Sequence, residues 1–279
     1  MPFDPATLLA MPPLVSRHEL TSRDTILYAL GVGATELEFL YEARLIALPT
    51  MAVVMAYPGY IWRRPELGVD WQRLLHVGQT VEIHQPLPAT ARLRGETRFE
   101  AVYDKGADKG SLVRTVREIY MEDTGEHLAT TVMTSLLRGD GGMGGSDGSP
   151  PPPYAIPDRE PDAVVALETS INQAAIYRLS GDENPLHIDP EVARAAGFER
   201  PILHGLCTFG VVGRALLHEL CNNDATRLRR MDVRFSSPVY PGETIVTEIW
   251  REGPGKAACR ARVAGRKVIV IDNGHVEFA

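Results

Sequence analysis

Cysteine is scarce in this chain. Cys207, Cys221 and Cys259 are odd in number and follow neither a metal nor a disulfide spacing, and the eight histidines form no ligand pairs with them at helical spacing. A zinc module and a disulfide scaffold are therefore excluded, and three buried thiols are expected. Long apolar runs are missing too. No uninterrupted stretch of about 18 apolar residues occurs, which removes a membrane-spanning helix. The first residues lack the basic-then-apolar order of a secretory signal, and Val276-Glu277-Phe278-Ala279 is not a peroxisomal address. These absences set the expectation of a cytoplasmic protein with no membrane partner.

Positive charge is also in short supply. Lys and Arg number 29 against 36 Asp and Glu, giving a net charge of −7, and no basic stripe is present. Nucleic acid is therefore excluded as a partner, and any anionic ligand must meet local basic residues. A dinucleotide fingerprint is absent. The Gly139 to Ser149 run ends in no lysine-serine pair and opens no helical pattern, so it does not cradle phosphate.

What is present is an ordinary globular balance, 44% hydrophobic and 23% charged over 279 residues, enough for one large or two small domains. The sharpest boundary is Gly139 to Pro153, glycine-rich and then Pro150 to Pro153, read as a linker that is flexible first and stiff afterwards. It separates a half at 1–138 from a half at 154–279. In the first half, residues to about Arg17 read as irregular, Ser22 as the cap of a helix reaching Gly31, and Pro49 to Ala56 as an apolar segment of open type. Strands follow at Thr80 to His84, Ala91 to Val102, Ser111 to Met121 and His127 to Leu137.

The second half repeats that order. A helix runs from about Ser170 to Leu179, Asp189 and Pro190 start a short helix that Gly197 closes, and Gly205 to about Leu220 reads as a helix buried on most sides. Met231, Val233 and Phe235 alternate on a strand, and Thr244 to Trp250, Ala257 to Val263 and Lys267 to Ile271 supply further strands. Helices preceding an antiparallel sheet in each half make the class α+β.

Chemistry concentrates at Tyr177 to His187. Gly181 permits a sharp reversal, and Pro185 biases Asn184 towards an extended conformation, so Asp182, Asn184 and His187 share one local frame. A carboxylate and an imidazole there suit acid-base work, though two adjacent turns with a surface His read the same residues more plainly. Downstream, Gly205 at a helix start could present its N–H to a developing oxyanion.

Ser180-Gly-Asp-Glu-Asn-Pro-Leu-His187 followed by Pro201-Ile-Leu-His-Gly-Leu-Cys207 resembles the signature of MaoC-like (R)-specific enoyl-CoA hydratases. The likeness is greatest to the hydratase part of peroxisomal multifunctional enzymes, and extends through Tyr28-Ala-Leu-Gly-Val-Gly-Ala34, Phe39-Leu-Tyr-Glu42, Asp108-Lys-Gly110 and Pro238-Val-Tyr-Pro-Gly242. The resemblance implies a double hot-dog fold, two halves each with an antiparallel sheet wrapped around a central helix, with one catalytic motif per chain, in the second half. It implies a hydro-lyase that hydrates trans-2-enoyl-CoA to (3R)-3-hydroxyacyl-CoA, needing no cofactor or metal, with coenzyme A entering as part of the substrate. A thioesterase and a non-catalytic acyl-CoA binding module are the alternatives on the same fold.

By the same resemblance Asp182 and His187 flank the attacking water, Asn184 orients it, and the N–H of Gly205 stabilises the oxyanion. Which of Asp182 and His187 takes the first proton stays open. Substrate contacts are implied for His76, Val77, Lys109, Glu183, Pro185, Leu186 and Phe235, with Lys109 on coenzyme A phosphate. A solvated Lys109 or His76 and a core Phe235 are their structural readings. Glu42 is implied to support the site from behind, its other reading being a surface glutamate. A homodimer is expected from the family.

Overall fold

The computed structural model describes residues 2 to 279. Ten strands form one antiparallel sheet: β1 (Leu14–Leu20), β2 (Leu74–Ile83), β3 (Ala91–Asp104), β4 (Ser111–Met121), β5 (His127–Leu137), β6 (Ala163–Glu168), β7 (Leu228–Phe235), β8 (Thr244–Arg251), β9 (Lys256–Val263) and β10 (Ile269–Phe278). Their spatial order is β1-β3-β4-β5-β2-β7-β10-β9-β8-β6. Read inward from either edge, each half has the same plan: first strand, third, fourth, fifth, second. The halves meet where β2 pairs with β7, from Gly78 opposite Arg234 to Glu82 opposite Arg230.

Helices do not follow that symmetry. The first half has α1 (Pro5–Leu9), α2 (Ser22–Gly31) and α3 (Leu37–Leu40), and the second has α4 (Gln173–Tyr177), α5 (Pro190–Ala195) and α6 (Gly205–Cys221). The 17-residue α6 is buried along most of its length and packs on β6, β7, β8 and β10. Where the first half would hold its counterpart, Pro49–Val53 forms only a 3-10 turn, opened by a proline and followed by Pro58-Gly59. This settles the open type of the Pro49 segment: the halves share strands but not a central helix.

The halves interlock at α6. A Cβ on Gly210 would lie 2.4 Å from Val32 Cγ1, and one on Gly213 would lie 2.4 Å from Thr50 Cγ2, so both glycines exist to admit the first half. Arg214, one residue further on, bonds Glu36 at 3.2 Å and the Val32 carbonyl at 3.3 Å. From α4, Gln173 Nε2 donates to the carbonyls of Gly31 and Leu30. The shortened 49–53 segment is held in turn by Arg117 on β4, whose buried guanidinium donates to Ala52 O and Val53 O.

Several expectations need correction. Thr21, not Ser22, caps α2, forming a reciprocal capping box with Asp24. The supposedly irregular start contains β1, and β6 was not anticipated; both are the edge strands of the sheet, with burial alternating along each. The last strand runs to Phe278, while Lys267 sits in the preceding turn at φ 55°.

The Gly-rich linker is not free in its first part. Asp104 accepts the N–H groups of Gly142 and Gly144, both at 2.8 Å, and Ser146 exchanges hydrogen bonds with Val102. A Cβ on Gly145 would fall 2.3 Å from Val102 O, so this glycine serves close approach, not looseness. Asp140 within the run is buried, while Asp147 to Pro153 is exposed throughout.

The α6 contact yields a stability test. Gly210→Ala forces its methyl into Val32, and overpacking of this kind costs about 1–3 kcal/mol. A lowered melting temperature is expected, with recovery when Val32→Ala is added; a wild-type melting curve for the single variant would show that the two halves yield at this contact.

Candidate active site

The catalytic-type residues cluster because three short segments end at one place. α4 continues into a 3-10 turn at Arg178–Ser180, and Gly181 reverses the chain at φ 110°, a conformation that suits glycine. Asp182 Oδ1 then accepts the Asn184 N–H at 3.3 Å, and Asn184 Oδ1 accepts the Leu186 N–H at 3.1 Å, opening a 3-10 turn over Pro185–His187. The frame foreseen for Asp182, Asn184 and His187 is therefore present. Asn184 itself is exposed and its oxygen is engaged in the turn, leaving Nδ2 as its available donor.

The tautomers can be worked out from neighbours. His187 is 8% exposed, and its Nδ1 lies 2.9 Å from the Ile202 carbonyl, which can only accept. Nδ1 therefore carries the hydrogen and Nε2 presents a bare lone pair. His204, at 1% exposure, lies with Nε2 3.1 Å from the Asp182 carbonyl, so its Nδ1 is bare, buried and without a partner. The two rings stack with centroids 3.7 Å apart and planes 30° apart. Burial lowers the pKa of both below that of an ordinary histidine. Their mutual repulsion lowers His204 further, while the charge of Asp182 acts in the opposite direction on each.

One ligand atom from each of Asp182, His187 and His204 falls within 4.8 Å of the others. A shared ion would require both imidazole lone pairs to converge on one point. Each ring is held by its stacking partner and by one carbonyl, which leaves His187 with a bare nitrogen suited to proton transfer.

His204 is also the N-cap of α6 and makes no side-chain cap bond. Gly205 follows as the first helical residue, exposed, with an N–H that the helix leaves unpaired. A Cβ there would stand 3.6 Å from the ring of Phe235, which packs edge-on against His76 at 5.0 Å between centroids. His76 Nε2 bonds Gly78 O at 3.0 Å, and desolvation pushes its pKa down to about 4. The Asp182 charge reaches His76, His187 and His204, and also Tyr57 and Tyr60 of the first half.

The structure thus brings together Asp182, His187, Gly205, Phe235 and His76, with Val77 and Leu186 half-buried beside them in sequence and Glu183 and Pro185 exposed on the same turn. Lys109 stands apart, exposed in the β3–β4 hairpin. Pairing of Ser111 with Leu137, and of Leu137 with Leu74, sets that hairpin at the same end of the sheet as His76. Glu42 is exposed in a 3-10 turn and has no hydrogen bond or ion pair to the cluster among the described residues, which favours its surface reading. Sequence reasoning missed His204 as a site residue. Its only signal was its place just before Gly205, and a lone histidine says nothing about stacking on another 17 residues upstream.

Residues 18–139 match the MFE-2 hydratase 2 N-terminal domain, and residues 154–273 match the MaoC like domain. The chain is 42% identical to "3-hydroxyacyl-thioester dehydratase Y" of Mycobacterium tuberculosis, covering 100% of this chain and 99% of that protein. It is also 42% identical to "Peroxisomal multifunctional enzyme type 2" of Mus musculus, covering 92% of this chain but only 36% of that longer protein. Among solved structures, a MaoC-like dehydratase from Phytophthora capsici superposes with a TM-score of 0.89 at 37% identity, covering 98% of both chains. With both halves matched in order and the whole length aligned, the chain belongs to the MaoC-like dehydratases of the hydratase 2 type and has their double hot-dog fold.

Proposed function

We propose that this protein is an (R)-specific enoyl-CoA hydratase, a hydro-lyase interconverting trans-2-enoyl-CoA and (3R)-3-hydroxyacyl-CoA. The observation that carries this reading is the meeting of three groups: the Asp182 carboxyl, the bare Nε2 of His187 and the unpaired N–H at the start of α6. Hydration needs a base for water, a proton for C2 and a donor for the charge that builds on the thioester oxygen. His187 can serve first as base and then as proton source, the Asp182 charge stabilises its protonated form, and the start of α6 supplies the donor.

In the forward direction the water oxygen bonds C3 while His187 Nε2 takes its proton. The Asp182 charge stabilises the imidazolium that forms, a role supported by its upward pull on the His187 pKa. Electron density moves onto the thioester oxygen, where the Gly205 N–H receives it, and the imidazolium returns a proton to C2. General acid-base help is worth about 10² to 10⁴ and one oxyanion donor about 10² to 10³ in rate. Asn184 contributes its free Nδ2 to the water, and His204 holds the rest in place by stacking on His187 and bonding Asp182.

Coenzyme A lies towards His76, Val77 and Phe235, with Lys109 reaching its phosphates; Glu183, Pro185 and Leu186 form the near wall. No helix among the described residues is long and apolar enough to cross a membrane. A homodimer is the accompanying reading, supported by exposed apolar side chains at Leu30, Leu37, Tyr41, Ile46 and Ile171 and checked by light scattering; a cytoplasmic location is proposed with it and checked by cell fractionation.

Hydration of crotonyl-CoA tests the activity, and the product should not reduce NAD with an (S)-specific dehydrogenase. Release of free thiol instead would signify a thioesterase. Asp182→Asn and His187→Ala should each lower kcat by at least about 10², with the double variant hardly worse than the poorer single one. A folded Asp182→Asn protein working at the parent rate would remove this mechanism.

The pH profile follows from the buried imidazoles. His187 must be neutral to act, and its pKa lies below the usual value of about 6.5, so kcat/KM should hold as pH falls through that value and decline only below it. Asp182→Asn withdraws an upward influence and should move the acid limb of the residual activity lower. Stability has the same sign. In the unfolded chain these histidines bind protons that the fold rejects, so stability is full above about 6.5 and is lost as pH falls, His76 extending the loss to about 4. An acid limb centred above 6.5 would contradict the assignment of a buried His187.

For Lys109→Ala, KM for coenzyme A thioesters should rise more than kcat falls, with added salt narrowing the difference. A pantetheine thioester lacks those phosphates. Equal losses on both substrates would remove Lys109 from phosphate binding.

A further inference from the structure

A cleft of about 360 Å³ opens between the halves beside the catalytic turn, within the range of small-molecule sites. Beside Asp182 its walls include Tyr57, Leu179, Ser180 and Gly181, and Met51, Val54 and Leu27 add apolar surface that suits an alkyl chain. His18 and Asp24 also line it, and nothing in the chemistry described above uses them.

Their hydrogen bonds define what they offer. His18 Nδ1 accepts the Ala56 N–H at 3.2 Å, so its hydrogen resides on Nε2, which has no partner among the described residues. Asp24 directs Oδ2 to the Thr21 N–H and hydroxyl, completing the cap of α2, and Oδ1 has no partner among the described residues. Besides Ser180, whose buried Oγ lacks a partner, His18 and Asp24 therefore add a free donor and a free acceptor to the cleft. Burial keeps His18 below the ordinary histidine pKa, against the pull of Asp24, so it offers a single N–H as a neutral ring.

We propose that this cleft receives the acyl chain of the substrate and that His18 and Asp24 select chains bearing a hydroxyl group, which accepts from His18 Nε2 and donates to Asp24 Oδ1. This rests on the hydratase reading of the adjoining site and specifies its substrate class. A plain alkyl tail would strip water from both groups and return nothing. A carboxylate tail would meet the Asp24 charge, and Arg17, the nearest cation lining the cleft, already pairs with Glu122 at 3.0 Å. A hydroxyl satisfies both partners at no cost in charge.

Two series of 2-enoyl-CoA thioesters of increasing and matched chain length, one plain and one ω-hydroxylated, test the proposal on the full-length protein. At the length that reaches His18, kcat/KM should favour the hydroxylated member by about 10-fold or more, the scale of one neutral hydrogen bond and one to a carboxylate. His18→Phe should lower that ratio several-fold, and His18→Phe with Asp24→Ala should bring it to about one. Calorimetric binding of the matched saturated thioesters reads the same preference without turnover, so a chain that hydrates nothing but still prefers the hydroxylated ligand would fail the hydratase reading and keep this one. Equal kcat/KM and equal binding for both series at every length, or an unchanged preference in His18→Phe, would overturn it.

Discussion

The approach of the first half to α6 is the contact on which the rest of the molecule depends. Gly210 and Gly213 lie three residues apart on one helix face, and each leaves room for a side chain of the other half, Val32 or Thr50. Because close-packed interiors transmit strain, a helix seated at this distance is also fixed along its axis and about it. Its N-terminus is then fixed as well. The direction in which Gly205 presents its N–H, and the height at which His204 stacks on His187, are both consequences of how deeply the helix enters between the halves.

A common strand plan with unequal helices explains how one chain carries one such constellation. In the second half the long α6 fills the concave side of the sheet. In the first half that volume is occupied by the Pro49–Val53 turn and the chain that follows it, leaving the cleft beneath Tyr57. Arg117 makes this possible. A short turn ends in carbonyls with no helical partners, and a buried guanidinium without a carboxylate is costly, so each is tolerated because it satisfies the other. The ring of Tyr57 lies 5.3 Å from the same guanidinium, adding a cation–π contact next to the site.

Electrostatically, the site works by keeping imidazoles neutral. Three histidines are held below their ordinary pKa by lost hydration, and each is given one hydrogen-bond acceptor, which determines the nitrogen that keeps its proton. The Asp182 carboxyl is close enough to favour a transient positive charge on any of them. A base that is neutral at rest and stabilised once protonated is what moving a proton from water towards carbon requires.

Much of this was legible in the sequence, for local physical reasons. Gly181 and Pro185 shape the Asp182 to His187 turn through their own backbone preferences, and β4 and β5 begin and end where alternation and turn residues put them. Other features depended on partners distant along the chain. β1 has so few apolar residues that only its pairing with β3 makes it a strand, and the Gly139 to Ser146 run looked loose until Asp104 and Val102 were seen to hold it. His204 carried no signal because ring stacking leaves no periodicity. The motif residues and the strands from β3 to β5 were determined by the sequence alone, since turn chemistry and alternation act over a few residues. The tertiary structure alone decided the histidine tautomers, the unpaired start of α6 and the cleft shared by both halves, since each arises from groups far apart in the chain brought within a few ångströms.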